Sequence, residues 1–307
     1  MSIEPEQPAS GDYYGYPALK APVWTWEVPA YFFVGGAAGA SALIGAVARQ
    51  AGASADLVRD ARWIAAAGAA LSPPLLISDL GRPERFLNML RVFKLQSPMS
   101  VGAWTLVAFS NAAAASAFAD LAHRSAKGRL PVRVVADAAG LLSAATGLVL
   151  STYTGVLLGA TAIPVWSKNA RMLPLHFGAS GLGSAVSILE LLGHHDRALN
   201  ALGIGAALAE IAVAARIEAS DEPAMRPLNE GRTQALTRAA GVLSGPVPLL
   251  LRLFAARSST ARRIAALSTI AGSILTRAAW VDAGKSSAAS SSQAIATKSR
   301  RTDGAIP

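Results

Sequence analysis

An all-α integral membrane protein is the fold class the sequence predicts, on three observations. The 307-residue chain is 52% hydrophobic and only 15% charged, whereas a soluble domain carries roughly a quarter of its residues charged. Its mean hydropathy is +0.38. Its apolar residues are also gathered into blocks near the ~20 residues that a helix needs to cross a bilayer. In hydrocarbon a single segment satisfies its own N–H and C=O groups only as a helix.

About eight such blocks follow one another. The first covers 28–48 without a charge, and its run Gly35-Gly36-Ala37-Ala38-Gly39-Ala40-Ser41 is a small-residue surface for close helix packing. The second covers 63–78, where Pro73 and Pro74 should bend or end the helix. The third covers 101–119. The fourth lies inside the uncharged stretch 138–167, with Pro164 closing it. The fifth and sixth cover 173–192 and 198–215. The last two, 235–251 and 264–279, are shorter and interrupted by Arg238, Pro246, Pro248 and Arg277. An even number of spans puts both termini on one side. Lys and Arg divide almost equally between the two sides, so the positive-inside rule leaves orientation open.

Three regions result. Residues 1–27 are polar, with Glu4, Glu6 and Asp12 and no basic n-region, unlike a cleavable signal peptide. Residues 28–282 form the membrane domain. Residues 283–307 are a basic Ser- and Ala-rich tail, expected to be disordered.

Composition also excludes function classes. The net charge of +9 comes from Lys and Arg in loops and tails, with no basic stripe interleaved with aromatics, so no nucleic acid is expected as a partner. The chain has no cysteine, hence no disulfide, Cys-ligated iron–sulfur cluster or covalently attached c-type haem. Of His123, His176, His194 and His195, only His176 falls well inside an apolar block. No intrinsic haem or metal is expected. Phosphate loops and zinc-type His spacings are absent too. A chain of this kind that handles electrons borrows its cofactor.

The strongest local signal is the loop Ser78-Asp79-Leu80-Gly81-Arg82-Pro83-Glu84-Arg85-Phe86-Leu87-Asn88-Met89-Leu90. It sets a membrane-edge carboxylate beside two guanidinium groups and a rigid Gly–Pro turn. Either Asp79 is simply paired with Arg82 or Arg85, or it accepts and delivers protons at a ligand pocket. Near the start of the first span lie Trp24, Trp26, Glu27 and Tyr31. Aromatic residues there form an interfacial belt as readily as a site, but a carboxylate beside an apolar segment costs free energy unless paired or protonated. Glu210 sits inside the sixth span, where it is either a functional group or an interhelical hydrogen-bond partner. Glu190 and His194, four apart, should pair on one helix face. Arg277 should snorkel to the headgroups.

Four segments in order give the chain a family resemblance. They are Val23-Trp24-Thr25-Trp26-Glu27-Val28-Pro29-Ala30-Tyr31-Phe32-Phe33-Val34-Gly35-Gly36, the loop 79–90, Ser97-Pro98-Met99-Ser100-Val101-Gly102-Ala103-Trp104, and Thr152-Tyr153-Thr154-Gly155-Val156-Leu157-Leu158. Together they resemble the NrfD/polysulfide reductase membrane-subunit family. The second half of the chain is similar mainly in hydropathy and in the ending 277–284. The resemblance implies eight spans in two four-helix bundles, in the cell membrane. It implies a bound quinone or quinol (menaquinone or ubiquinone) and no haem. It further implies a ferredoxin-like iron–sulfur partner, commonly joined by a molybdopterin catalytic subunit. Tyr153 stands at the family's quinone-contacting tyrosine and Asp79 at its acidic residue tied to proton transfer, which makes Asp79 the expected proton relay. Glu27 and Tyr31, at the entrance of the first span, are further candidates for the quinone pocket. The partner would dock over the loop 79–100, at Arg82 and Arg85. Thr154 stands where related sequences can have proline. Two other readings compete: a secondary transporter, which should show broken helices in two matching halves, and a membrane anchor without a redox role.

Overall fold

The computed structural model describes residue 19 and residues 21–79, 84–125, 130–255 and 257–303, with the side chains of 85, 124, 125, 130 and 291–303 outside the description. Every regular element among the described residues is helical. In chain order they are α1 (Glu27–Gln50), α2 (Ala55–Asp79), α3 (Glu84–Met89), α4 (Pro98–Ser125), α5 (Leu130–Gly159), α6 (Pro164–Ser167), α7 (Met172–Leu191) and α8 (Arg197–Glu218). A 3₁₀ turn (Pro223–Met225) follows, then α9 (Arg226–Asn229), α10 (Gly231–Ser244), α11 (Pro246–Phe254) and α12 (Ser259–Asp303). Six of these, α1, α4, α5, α7, α8 and α12, are long and apolar enough to cross a membrane. Large apolar side chains such as Leu141, Leu142, Leu148 and Val149 on α5 are exposed, as a lipid-facing surface requires.

The two remaining expected spans take a different form. α2 is 25 residues long, but Asp56, Arg59, Asp60 and Arg62 make its first turns polar. The seventh block is divided between α10 and α11 at Gly245, directly before Pro246. Pro73 and Pro74 do not end α2, which runs on to Asp79. A proline at 73 cannot donate to the carbonyl of Ala69; Ser110 of α4 supplies that bond, its hydroxyl donating to Ala69 O at 3.3 Å. Pro164 opens α6 rather than closing α5. The last helix corrects the expected boundary at 283: α12 continues as helix, with Ala283, Ser287 and Ala288 buried. Gly284 lies against the Trp166 indole. Small side chains give no hydropathy signal, yet they let a helix approach a large aromatic closely.

α1 is the helix around which the others gather. It packs on α2, α5, α7 and α12, and its small-residue run makes the contacts. A side chain at Gly39 would run into the backbone of Gly147 on α5, and one at Gly36 would meet Gly181 on α7. α2, α4 and α5 complete one group around α1; α7, α8, α10, α11 and α12 pack on one another beside it.

Antiparallel connections bring the start of α1 and the end of α2 to one face, and the end of α1 and the start of α2 to the other. That second face is laced with ion pairs. Arg49 grips Asp137 with two bonds of 2.9 Å, Arg62 reaches Asp137 at 2.8 Å and Asp120 at 3.1 Å, and His194 meets Asp60 at 2.9 Å. These pairs tie together α1, α2, α4, α5 and the turn before α8. The expected Glu190–His194 pair does not form. Glu190 instead receives two bonds from Arg252 of α11, at 2.5 and 2.7 Å, with both side chains buried.

Candidate functional site

Two clusters of polar groups lie toward the first face, one in each group of helices. The first joins residues from α1, α2, α4 and α5. Tyr31 is 2% exposed and Tyr153 6%, and the two phenols are close enough to interact electrostatically. Tyr153 packs over Gly102 of α4, where any side chain would collide with its ring and hydroxyl. Among the described residues neither phenol has a hydrogen-bond partner. The rings are buried, but neither hydroxyl is sealed off, so each can still donate to a molecule that reaches it.

Just outside them, Thr25 links Glu27 and Asp79. The Thr25 backbone N–H donates to Asp79 Oδ1 at 3.2 Å, and the hydroxyl lies 3.3 Å from the same oxygen while also contacting Glu27 Oε2. A hydroxyl has one proton to give, so it serves one carboxylate at a time. Thr25 was not singled out from the sequence, although it stands two residues before Glu27; only the fold brings in Asp79, 54 residues on. Arg82 lies outside the described residues, as does the side chain of Arg85, so their docking role rests on the sequence.

The second cluster was legible only as isolated polar residues. His176 Nε2 meets Glu210 Oε2 at 3.1 Å, and the Trp280 indole N–H donates to His176 Nδ1 at 3.2 Å. An indole nitrogen can only donate, so Nδ1 is the acceptor and the ring proton resides on Nε2, facing the carboxylate. Ser244 Oγ lies 3.0 Å from Glu210 Oε2 and 2.7 Å from the Ala240 carbonyl. Arg277 does not snorkel. It is fully buried, held by Ser180 Oγ at 2.6 Å, Ser273 Oγ at 2.8 Å and the Phe177 carbonyl at 3.3 Å, and it stands 5.2 Å over the Phe177 ring. Acceptors meet both Nη1 and Nη2, while Nε has no partner among the described residues, and this partial replacement of hydration holds the guanidinium inside.

An aromatic chain joins the two clusters. Trp24, beside Thr25, stacks on Trp166 at 5.4 Å. The Trp166 indole N–H donates to the Trp280 carbonyl at 2.8 Å, and Trp280 holds His176.

Long apolar helices with lipid-facing exteriors and buried polar clusters define a multi-pass membrane protein. The particular family follows from comparison: the polysulfide reductase family of NrfD type matches residues 11–291, and the chain belongs to it. Membership makes it a membrane subunit that works with other subunits in a redox complex. No curated protein shows significant similarity to the chain.

Proposed function

We propose that the chain is the quinone/quinol-binding membrane subunit of a multi-subunit oxidoreductase in the cell membrane, with eight spans in two four-helix bundles. α2 and the divided α10–α11 supply the seventh and eighth spans, and the packing of α1, α2, α4 and α5 supports the first bundle. The single observation that carries the reading is the pair of buried, unpartnered phenols, Tyr31 and Tyr153, beside a threonine shared by two carboxylates.

These residues suit a quinone. Each ring oxygen needs a hydrogen-bond donor, and the two tyrosines have hydroxyls free to give one. Menaquinol or ubiquinol, when bound, supplies two electrons and two protons. Tyr153 and Tyr31 orient the headgroup, with Glu27 at the pocket rim. Thr25 holds a proton between Glu27 and Asp79, and Asp79 exchanges it with the aqueous phase. A ferredoxin-like iron–sulfur subunit docks over the loop 79–100 at Arg82 and Arg85, and a molybdopterin subunit completes the complex. The chain is not a complete enzyme alone. Reduction of quinone uses the same groups in reverse.

Binding of a quinone analogue to the purified full chain in detergent tests this. Tyr153→Phe should weaken saturable binding about two- to tenfold, the equivalent of one lost hydrogen bond of about 0.5–1.5 kcal/mol. Asp79→Asn should leave binding largely intact and slow proton release in the assembled complex. Absence of binding by the folded native chain, with its iron–sulfur partner present, sinks the reading in favour of an inert anchor or a transporter.

A further inference from the structure

The His176–Glu210 pair lies away from the tyrosines and plays no part in quinone binding as proposed. One oxygen, Glu210 Oε1, is buried and has no hydrogen-bond partner. It borders a cavity of about 20 Å³ lined by His176, Ile217, Leu228, Thr237, Thr276 and Trp280. About 10–15 Å³ suffices for one water. Thr237 and Thr276 are among the lining residues. The Thr237 hydroxyl donates to the Thr233 carbonyl at 2.9 Å and keeps its lone pairs, and a water in the cavity has Glu210 Oε1 to donate to. Ile217 and Leu228 extend the lining toward the C-terminal end of α8. Glu210 is eight residues before Glu218, the last of α8, or about 12 Å along the helix.

We infer that His176 and Glu210 form a water-connected proton-exchange site within the membrane domain, opening toward the first face. The ligand is a proton, carried by a water in the cavity. Both protonation states of Glu210 are satisfied by groups already in place. As a carboxylate it accepts from His176 Nε2–H and from the Ser244 hydroxyl. When Oε1 takes a proton from the cavity water, that water recovers one from bulk solvent. The Ser244 hydroxyl then turns its own proton to the Ala240 carbonyl, 2.7 Å away. His176 keeps its tautomer throughout, because the Trp280 N–H occupies Nδ1. The charged and titratable groups acting on Glu210 are His176 from α7 and Arg277 from α12; the fixed positive charge of Arg277 keeps a carboxylate tolerable at this depth. The site stands independently of quinone binding.

Nitrogen-15 labelling of histidine makes the test tractable, since the chain has only four histidines. The His176 signal, assigned by its loss in His176→Gln, should show the Nε2–H tautomer. After transfer of the full chain to deuterated buffer, this N–H should exchange well ahead of the backbone amides of α7 around Ser184. Glu210→Gln keeps a hydrogen-bonding side chain but cannot take up the proton, and should slow the exchange at least tenfold. Thr237→Val should slow it severalfold without altering the tautomer. An Nε2–H as protected as the neighbouring amides, or exchange unaffected by Glu210→Gln, overturns the inference and leaves a sealed structural bond.

Discussion

Toward the first face, the two groups of helices present different polar side chains. There α1 and α5 carry two phenols without hydrogen-bond partners among the described residues, and the carboxylates Glu27 and Asp79 stay at the edge, sharing one threonine. Around α7, α8, α10, α11 and α12 carboxylates and guanidinium groups are themselves buried and bonded across helices, although Glu210 Oε1, Arg252 Nε and Arg277 Nε likewise have no partner. An unpartnered group is a local cost that an incoming ligand can relieve; a bonded one contributes to holding helices together. Family membership makes the chain part of a redox complex.

The largest effect should come from breaking a buried ion pair. Glu190→Ala strands the Arg252 guanidinium in the interior and should destabilise the chain by about 3–5 kcal/mol, seen as a large fall in the detergent unfolding midpoint. A retained midpoint would mean that the second group is not held by its ion pairs. A matched deletion of two buried hydroxyls sharpens the comparison. Ser180→Ala removes a charge-assisted bond to Arg277 and should cost about 1.5–3 kcal/mol. Tyr153→Phe removes a hydroxyl with no partner and should change stability by no more than about 0.5 kcal/mol. Equal losses from both would erase the distinction.

The smallest effect concerns pH. Asp60 lies three residues before the apolar stretch of α2 begins at Trp63. Burial works against its carboxylate, but hydrogen bonds from Arg59 and His194 outweigh this and hold its carboxyl below the ordinary value. The folded state therefore binds its proton less readily than the unfolded chain. The resulting stability is complete at neutral pH and is lost below about pH 4, as the pH falls through the lowered value. Unfolding midpoints measured against pH should fall more steeply on acidification for the native chain than for Asp60→Asn, by the equivalent of about 0.2–1 kcal/mol.

Much of the fold was legible in the sequence because hydropathy is local. The α1 block could be read directly, including its packing surface, since glycine and alanine at close spacing leave few other uses. The end of α12 could not, because Ala, Ser and Lys after residue 283 look polar until Trp166 is seen lying against Gly284. Arg277 was misread for a related reason. Whether a guanidinium snorkels depends on acceptors nearby, and here Ser180 and Phe177 come from a helix about a hundred residues earlier. Thr25 was hidden in the same way. A threonine two residues before a glutamate says little until the fold brings Asp79 beside it. Tyr153, Tyr31, Glu27 and Asp79 were named from a family pattern; the structure adds their surroundings, and binding measurements will decide their roles.

The contact between α1 and α12 has a consequence for how the protein is made. α1, the most enclosed of the long helices, is synthesised more than two hundred residues before α12, one of the helices that pack on it. Arg277 on α12 comes to rest close to Gly36. Until then Gly36 and its small neighbours lack a wall of their final groove. A chain interrupted before residue 259 therefore exposes to lipid an unfinished groove on α1.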